Sequence, residues 1–439
     1  MSFIHTICRF LLKIEWLLLL ALLPFVFLGD PAFSPFLLII PLIWLARKVV
    51  HGRFLPATPL IIPLFLLYFM ILVSEWATFD MAYSYPKIAG LIYGLAVVPA
   101  VVAAVDNAPR KLWFGVALLL LAGWGVMALG MVSVKWSTKI PVLAGVVHRL
   151  PERLVQLPGL AGALNANQLA GVLSWVAPLA LVLAGWGVWT WQRRTGQPVW
   201  LFWGVRLALA VTAVAANLLL LFTQSRSGLS GLIVAGMFVA AVLLWQWGKR
   251  PFFITTALVI IAALTLFYGI GPEKIQTALS EQAHLDISSD GIGSLESRIE
   301  IWSRAIYGIQ DFPFTGMGMN TFRRVVHLLY PLFLIAPDVD IAHAHNQWLQ
   351  TALDLGIPGL IAYLSVWLLT AVMLWQTWQQ AKDSWLKVLA LAIAASLAAY
   401  FVYAMTDTIA LGGRPGFVFW LLIGLANSLW QVASRPLGN

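Results

Sequence analysis

Apolar runs of about 20 residues recur from one end of the chain to the other, and each is long enough to cross the hydrocarbon core of a bilayer as a helix. In lipid, a helix satisfies every backbone hydrogen bond within the run itself. The charged fraction of 10% agrees with this reading, because soluble proteins carry about 25% charged residues. We therefore expect residues 1–439 to form a single integral membrane domain, all-α, with about 12 transmembrane helices.

The first run is expected to be retained rather than removed as a signal peptide. Pro24 and Asp30 follow its apolar core where a small-residue cleavage site would stand. The second run is short, so we expect a tilted or irregular span. The expected spans are 10–28, 34–46, 57–74, 88–105, 112–134, 165–188, 199–222, 227–247, 252–270, 346–378, 385–406 and 415–433.

Charge is distributed unevenly between the two ends of these spans. With the N-terminus inside, the inner segments carry 15 of the 27 basic residues but only three of the 18 acidic ones. Basic residues accumulate in the cytoplasmic loops of membrane proteins. Both termini are therefore expected in the cytoplasm, and the net charge of +9 needs no nucleic-acid partner.

The aromatic residues and the cysteine content add little beyond this membrane reading. Many of the 22 tryptophans stand near span ends, as in an interfacial belt, and are not interleaved with a basic groove as in nucleic-acid-binding proteins. The one cysteine, Cys8, cannot form an internal disulfide and says nothing about the redox compartment.

The outer side carries the two longest connections. One runs from Lys135 to Leu164 and the other, at residues 271–345, from Gly271 to His345. Loops of this length are usually functional or disordered. Because the second contains helical patterning and aromatic residues, we expect it to be functional and to contain short amphipathic helices.

One such helix is predicted between Ser294 and Gln310. Ser294 is a plausible N-cap, and Arg298 falls at the edge of the apolar stripe, so it should point towards the protein or membrane. Arg304 falls on the opposite face and should meet water. An arginine against an apolar face usually has an anionic partner, either a substrate or a nearby carboxylate such as Glu300 or Asp311. The apolar stripe consists of Leu295, Ile299, Trp302, Ile306 and Ile309.

A second arginine lies in the short turn Thr223-Gln224-Ser225-Arg226-Ser227-Gly228, between two apolar runs at the outer membrane surface. Arg226 either extends towards lipid headgroups or presents a guanidinium fork to a lipid diphosphate. The neighbouring hydroxyl groups would serve the second role.

A histidine stands where the long loop re-enters the membrane. His345 shares a predicted helical face with Leu349, Ala352 and Gly356, so it should point inward. Imidazole can accept a proton near neutral pH, which suits a general base, but it can equally cap a helix or meet the interface. His343 would face elsewhere on such a helix.

Other polar residues predict less. Asp338 and Asp340 are too few to specify a divalent-metal site. No strand precedes the Gly316-Met317-Gly318 turn, which excludes a dinucleotide fingerprint. Asp354 and Asp407 stand near outer span ends, either as partners of the arginines or as interfacial charges.

In their order along the chain, these segments resemble the O-antigen ligase/polymerase family, over residues 165–359. A Ser-Arg-Ser-Gly turn is followed by an arginine in the long loop, a Gly-x-Gly turn, and His-Asn opening a span that reaches Gly-Ile-Pro-Gly. The resemblance implies a metal-independent glycosyltransferase of the bacterial inner membrane without a cofactor, active on the periplasmic side. The long loop at 271–345 would then be periplasmic.

The resemblance also implies roles for individual residues. Arg226, Arg298 and His345 match the family's functional arginines and histidine. The two arginines would bind the diphosphate of an undecaprenyl-diphosphate-linked glycan donor, with Ser225, Ser227 and Asn346 beside them, and His345 would deprotonate the acceptor hydroxyl. The acceptor would be lipid A-core for a ligase, or a second lipid-linked glycan for a surface-polysaccharide polymerase.

A lipid-linked glycan transporter or flippase is the alternative from a different class. Such proteins usually show repeated halves or charges near the membrane midplane. Here the notable charges cluster at the outer surface, which favours the transferase.

Overall fold

The computed structural model describes residues 3–28, 30–107, 111–134, 136, 164–187, 190, 198–248, 295–409 and 411–434. All regular structure in these ranges is helical. The α-helices are α1 Phe3–Lys13, α2 Glu15–Leu28, α3 Ile39–His51, α4 Ile61–Ala77, α5 Met81–Asn107, α6 Lys111–Ser133, α7 Ala166–Val182, α8 Val199–Thr223, α9 Arg226–Trp247, α10 Leu295–Asp311, α11 Phe322–Leu329, α12 Gln347–Gln380, α13 Ser384–Ala404 and α14 Phe417–Ser434.

The predicted membrane spans agree with these helices. Nine helical segments of the described ranges are long and apolar enough to cross a membrane, and two shorter apolar helices match the first and third predicted spans. The prediction that the second span, at 34–46, is irregular is also confirmed, because a 3-10 helix, Pro31–Leu38, leads directly into α3. The expected span at 252–270 lies outside the described residues, as does most of the long loop before α10.

The centre of the bundle is formed by α5, α7, α13 and α14. α14 packs along α5, and α13 packs between α7 and α9. Small residues permit the close approach that helices need in lipid. At Gly94, for example, a Cβ would stand 2.2 Å from the Trp420 ring.

One predicted span is not a single straight helix. α12 contains Gly356, whose φ of 69° and ψ of 177° are not helical. Trp348 and Tyr363 lie on opposite sides of this residue, and a straight helix would separate them by about 22 Å. Their rings are instead 5.7 Å apart. The first half of α12 therefore folds back against the second half, so the span expected at 346–378 contains two helical segments joined at Gly356.

The reversal is held by a segment of the long loop. The Met317 backbone N–H donates to the Leu353 carbonyl, and the Ile357 N–H donates to the Pro313 carbonyl, both at 2.7 Å. These bonds satisfy groups that the break at Gly356 leaves without helical partners. The Gly-x-Gly and Gly-Ile-Pro-Gly motifs thus lie against each other, although they are about 40 residues apart in sequence.

The predicted amphipathic helix is present as α10, but the buried face differs from the expected stripe. Ile299 and Ile306 are exposed, whereas Ile301 and Ala305 are fully buried. The physical reason is Glu300, a residue buried on that same face. Its carboxylate accepts the backbone N–H groups of residues 333 and 334, at 2.6 and 2.9 Å.

Arg304 also differs from its prediction, because it does not face water. Its side chain is 14% exposed and pairs with Glu300 at 3.5 Å. Its Nε donates to the Pro331 carbonyl at 2.8 Å. Arg304 therefore joins α10 to the loop after α11.

Candidate active site

Three side chains meet where the loop before α12 faces the end of α13. Nε2 of His343 lies 3.4 Å from Oδ1 of Asp407, and the ring centroids of His343 and His345 are 4.3 Å apart. Asp407 is 2% exposed, and its Oδ1 also accepts the Thr408 backbone N–H at 2.8 Å. A buried carboxylate beside two imidazoles is an arrangement in which a proton can be held or moved.

His345 reaches this cluster from the loop, not from a helical face. Its φ of 46° lies in the left-handed region, and α12 begins only at Gln347. The prediction that His345 shares a helical face with Leu349 is therefore wrong, although the side chain does point inward and is partly buried. Asn346 is the N-cap instead, and its Oδ1 accepts the N–H groups of Trp348 and Leu349 at 3.0 and 3.1 Å.

The start of α12 is fixed to the end of α13 by further polar contacts. Asn346 Nδ2 donates to the Met405 carbonyl at 3.0 Å. The side-chain oxygen of Gln347 accepts from Tyr400, Thr408 and Ile409 at 3.0–3.1 Å. These bonds hold the loop that contains His343 and His345, here called the histidine loop, against Asp407.

Burial controls the protonation of the cluster. Burial, with further lowering by nearby cations, reduces the pKa of His343 to about 3. Burial and the neighbouring His343 ring reduce the pKa of His345 to about 3 as well. Burial raises the pKa of Asp407, against the opposing effect of His345 and Arg298. At neutral pH both imidazoles are therefore uncharged.

Arg298 approaches the cluster from α10. Its Nε is buried and has no hydrogen-bond partner in the described part of the chain. One turn later, the Trp302 indole N–H donates to the His345 carbonyl at 3.4 Å. The two carboxylates considered as alternative partners are engaged elsewhere, because Glu300 pairs with Arg304 and Asp311 accepts the Tyr330 hydroxyl. Arg298 is close enough to the site to lower the pKa of both His343 and His345.

Arg226 lies at the same end of the bundle, at the surface. α8 ends at Thr223 with Gln224 as its C-cap, whose φ is 51°, and Ser225 caps α9 by accepting the Gly228 N–H at 3.4 Å. A Cβ at Gly228 would stand 3.0 Å from Ala170 of α7. The turn therefore packs beside the first residues of α7. The Tyr403 hydroxyl of α13 donates to the Asn167 carbonyl in the same first turn of α7, at 2.8 Å.

The described structure thus brings His345 and two further residues together near Arg298, and it places Arg226 at the same end of the bundle, at the surface. The two residues that sequence reasoning did not assign to the site are His343 and Asp407. His343 was placed on the wrong face of an expected helix. Asp407 was noted near a span end, but only the folded chain shows which group it faces.

Asp354 has a different partner from the arginines considered above. It is fully buried and pairs with Lys87 of α5 at 2.5 Å. It also accepts from Gln350 at 2.8 Å and from the Asn320 backbone N–H at 3.1 Å. This ion pair ties α5, the loop after α10 and α12 together beside the site.

The cluster has the spacing of a metal site but lies close to three cations. The ligating atoms of its three side chains lie within 4.8 Å of one another, close enough for one metal ion. A further positive charge is opposed there, because three cations lower the pKa of His343. These are Lys87, Arg298 and Arg323. Of Asp338 and Asp340, the two aspartates considered for a divalent-metal site, Asp340 is paired with Arg323.

Comparison with known proteins gives one family match. Residues 211–364 match the family model described as O-Antigen ligase, and no curated protein matches the chain. The matched range contains Arg226, Arg298, His343 and His345, and it excludes Lys87 and Asp407.

Proposed function

We propose that the chain is a glycosyltransferase that moves a glycan from an undecaprenyl-diphosphate carrier to an acceptor hydroxyl, in keeping with the match of residues 211–364 to the O-antigen ligase family. The observation that carries this proposal is the buried imidazole–carboxylate cluster flanked by Arg298. We place the reaction at the periplasmic face of a bacterial inner membrane, with both termini in the cytoplasm. The distribution of basic residues supports this orientation.

We assign Arg298 and Arg226 to the donor diphosphate. Guanidinium groups make paired, charge-assisted hydrogen bonds with phosphate oxygens. When the bond between the anomeric carbon and the diphosphate breaks, its electron pair moves onto the diphosphate, and the arginines stabilise the growing negative charge. Ser225 and Ser227 lie in the same turn as Arg226. Asn346 is engaged as a helix cap, and its contact with substrate stays a prediction.

We assign His345 as the general base. The acceptor hydroxyl oxygen attacks the anomeric carbon while its proton moves to the imidazole. Nδ1 of His345 is buried without a partner in the described residues, so Nε2 is the nitrogen that we assign to the proton. The low pKa of the unliganded His345 would rise when an anionic diphosphate binds beside it, and Asp407 would stabilise the imidazolium. This scheme uses no metal ion.

An apolar groove supports the binding of a polyprenyl chain. It has a volume of about 500 Å³ and lies between α9, α12 and α13. One end of it is at Phe401 and Val402, a few residues before Asp407. A hydrocarbon chain in this groove would place its diphosphate near the cluster. The lining includes Val234, Phe238, Val242, Trp367, Leu374, Trp375, Trp378 and Leu391.

The test is glycan transfer by the purified protein from an undecaprenyl-diphosphate-linked repeat unit. Lipid A-core, a second lipid-linked repeat unit and a protein are offered in separate reactions, so that the product also separates ligase from polymerase. We favour lipid A-core as the acceptor. Binding of the lipid-linked glycan without turnover in all three reactions would favour a transporter.

Three variants test the assigned roles: Arg226→Ala, Arg298→Ala and His345→Ala. Loss of a charged hydrogen bond costs about 1.5–3 kcal/mol, so we expect each arginine variant to lose about 10- to 100-fold in rate. Arg53→Ala is the control, because Arg53 is exposed and its partner Asp106 stands 3.8 Å away. Full activity of the Arg226 or His345 variant would contradict the assigned role.

A further inference from the structure

His343 is partly buried in the cluster but takes no part in the proposed transfer of a proton from the acceptor. It nevertheless makes two directed contacts. Its Nδ1 accepts the backbone N–H of His345 at 3.2 Å, and its Nε2 lies 3.4 Å from Asp407 Oδ1. One imidazole therefore joins the backbone of the proposed base to the carboxylate.

The two contacts determine one tautomer. His343 is neutral at pH 7, because burial lowers its pKa to about 3. A neutral imidazole has one donor and one acceptor nitrogen. Since Nδ1 accepts from His345, Nε2 carries the proton and donates to Asp407.

His345 needs such support because its backbone is strained. Its φ of 46° is a conformation that costs a non-glycine residue about 1–2 kcal/mol. A strained residue keeps this geometry only when its surroundings hold it. The His345 carbonyl accepts from Trp302, and the His345 N–H donates to His343. The peptide groups on both sides of the residue are therefore fixed by side chains.

We propose that His343 is a positioning residue, which holds the left-handed backbone of His345 and thereby aims the His345 imidazole at the acceptor. This inference rests on the proposed function. It assigns His343 no contact with substrate. An error in position of about 1 Å can reduce a rate by about 100-fold, so the effect should appear in kcat.

Three substitutions separate the two contacts. In His343→Asn, the amide oxygen stands where Nδ1 was and can still accept the His345 N–H, but the side chain no longer reaches Asp407. In His343→Gln, the amide reaches towards Asp407 and the acceptor beside His345 is lost. His343→Ala removes both. We measure kcat, the donor KM and the melting temperature of each purified variant.

We expect His343→Asn to keep most of the wild-type kcat, and His343→Gln and His343→Ala to lose about 10- to 100-fold with little change in donor KM. His327→Asn is the matched control, because the hydrogen bond of that partly buried histidine, at 2.8 Å, is to the Val339 carbonyl in the outer loop and not to the cluster. It should retain wild-type kcat.

Three results would overturn the inference. The first is a wild-type kcat in His343→Ala. The second is a larger loss of kcat in His343→Asn than in His343→Gln. The third is an equal loss of kcat in all three variants that follows their loss of melting temperature. If the wild-type protein itself transfers no glycan, the proposed function fails. The two failures are therefore distinguishable.

Discussion

Substitution of Gly356 by Ala tests whether the reversal of α12 creates the site. Gly356 has a φ of 69° with an extended ψ of 177°, a region that is essentially restricted to glycine and costs other residues about 1–3 kcal/mol. A Cβ there would also stand 2.4 Å from the Phe314 carbonyl oxygen and 3.0 Å from the Gly316 nitrogen. Both neighbours are backbone, so neither can move aside alone.

We expect Gly356→Ala to lower the free energy of unfolding by about 4 kcal/mol, because overpacking adds about 1–3 kcal/mol to the backbone strain. SDS titration in mixed micelles measures this free energy. We also expect glycan transfer to fall at temperatures at which the variant remains folded, since the first half of α12 carries the loop with His345.

Two control glycines separate the contributions. Gly52 has a similar φ of 74°, but a Cβ on this residue would meet no atom within 4 Å, whereas Gly236 has an ordinary φ and equally open space. We expect Gly52→Ala to cost about 1 kcal/mol and Gly236→Ala to be neutral or stabilising. If Gly356→Ala cost no more than Gly52→Ala, the close backbone packing at the reversal would be refuted.

Three further predictions concern charge. The pKa values of His343 and His345 are about 3 in the folded chain and about 6.5 when unfolded. Between these values the unfolded chain binds more protons than the folded chain. The free energy of unfolding therefore falls as the pH falls from about 6.5 towards 3, by up to about 1.4 kcal/mol per pH unit for each histidine. The melting temperature should fall less steeply with pH in His343→Asn, and an unchanged slope would contradict this. Incubation with EDTA should leave glycan transfer unchanged, and a loss restored by a divalent cation would show that a metal is needed. Asp354→Ala should cost about 3–5 kcal/mol, because it leaves the Lys87 charge uncompensated. Adding Lys87→Met should recover part of that loss, and a double variant less stable than Asp354→Ala would count against the ion pair as the cause.

The spans were predictable because the bilayer imposes one length and one kind of composition on every crossing helix. The reversal within α12 was not. Apolar residues directly flank Gly356, with Leu353 and Leu355 before it and Ile357 and Leu360 after it, so the apolar run continues through the break. Gly-Ile-Pro-Gly indicates a break, but its angle depends on hydrogen bonds from Pro313 and Met317, which belong to another part of the chain.

The same limit explains the site. The spacing of apolar residues predicted that α10 is a helix. It did not predict that the Glu300 carboxylate would accept two backbone N–H groups of the outer loop, which turns a different face of α10 towards the protein. The residue pattern singled out Arg298 and His345, and the order of the motifs then matched them to the family, while their roles stay a prediction. His343 and Asp407 are 64 residues apart, and their contact depends on how α13 ends. No local pattern contains that information.

The contacts of Gln347 have a consequence for biosynthesis. Its side-chain oxygen accepts from Tyr400, Thr408 and Ile409, which leave the ribosome more than 50 residues after it. The histidine loop cannot settle until α13 has been inserted, although every residue of the family-matched range has by then been made. A nascent or truncated chain that ends inside α13 would contain Arg226, Arg298 and His345, to which we assign the reaction. It would lack contacts that hold the loop with His345 in place.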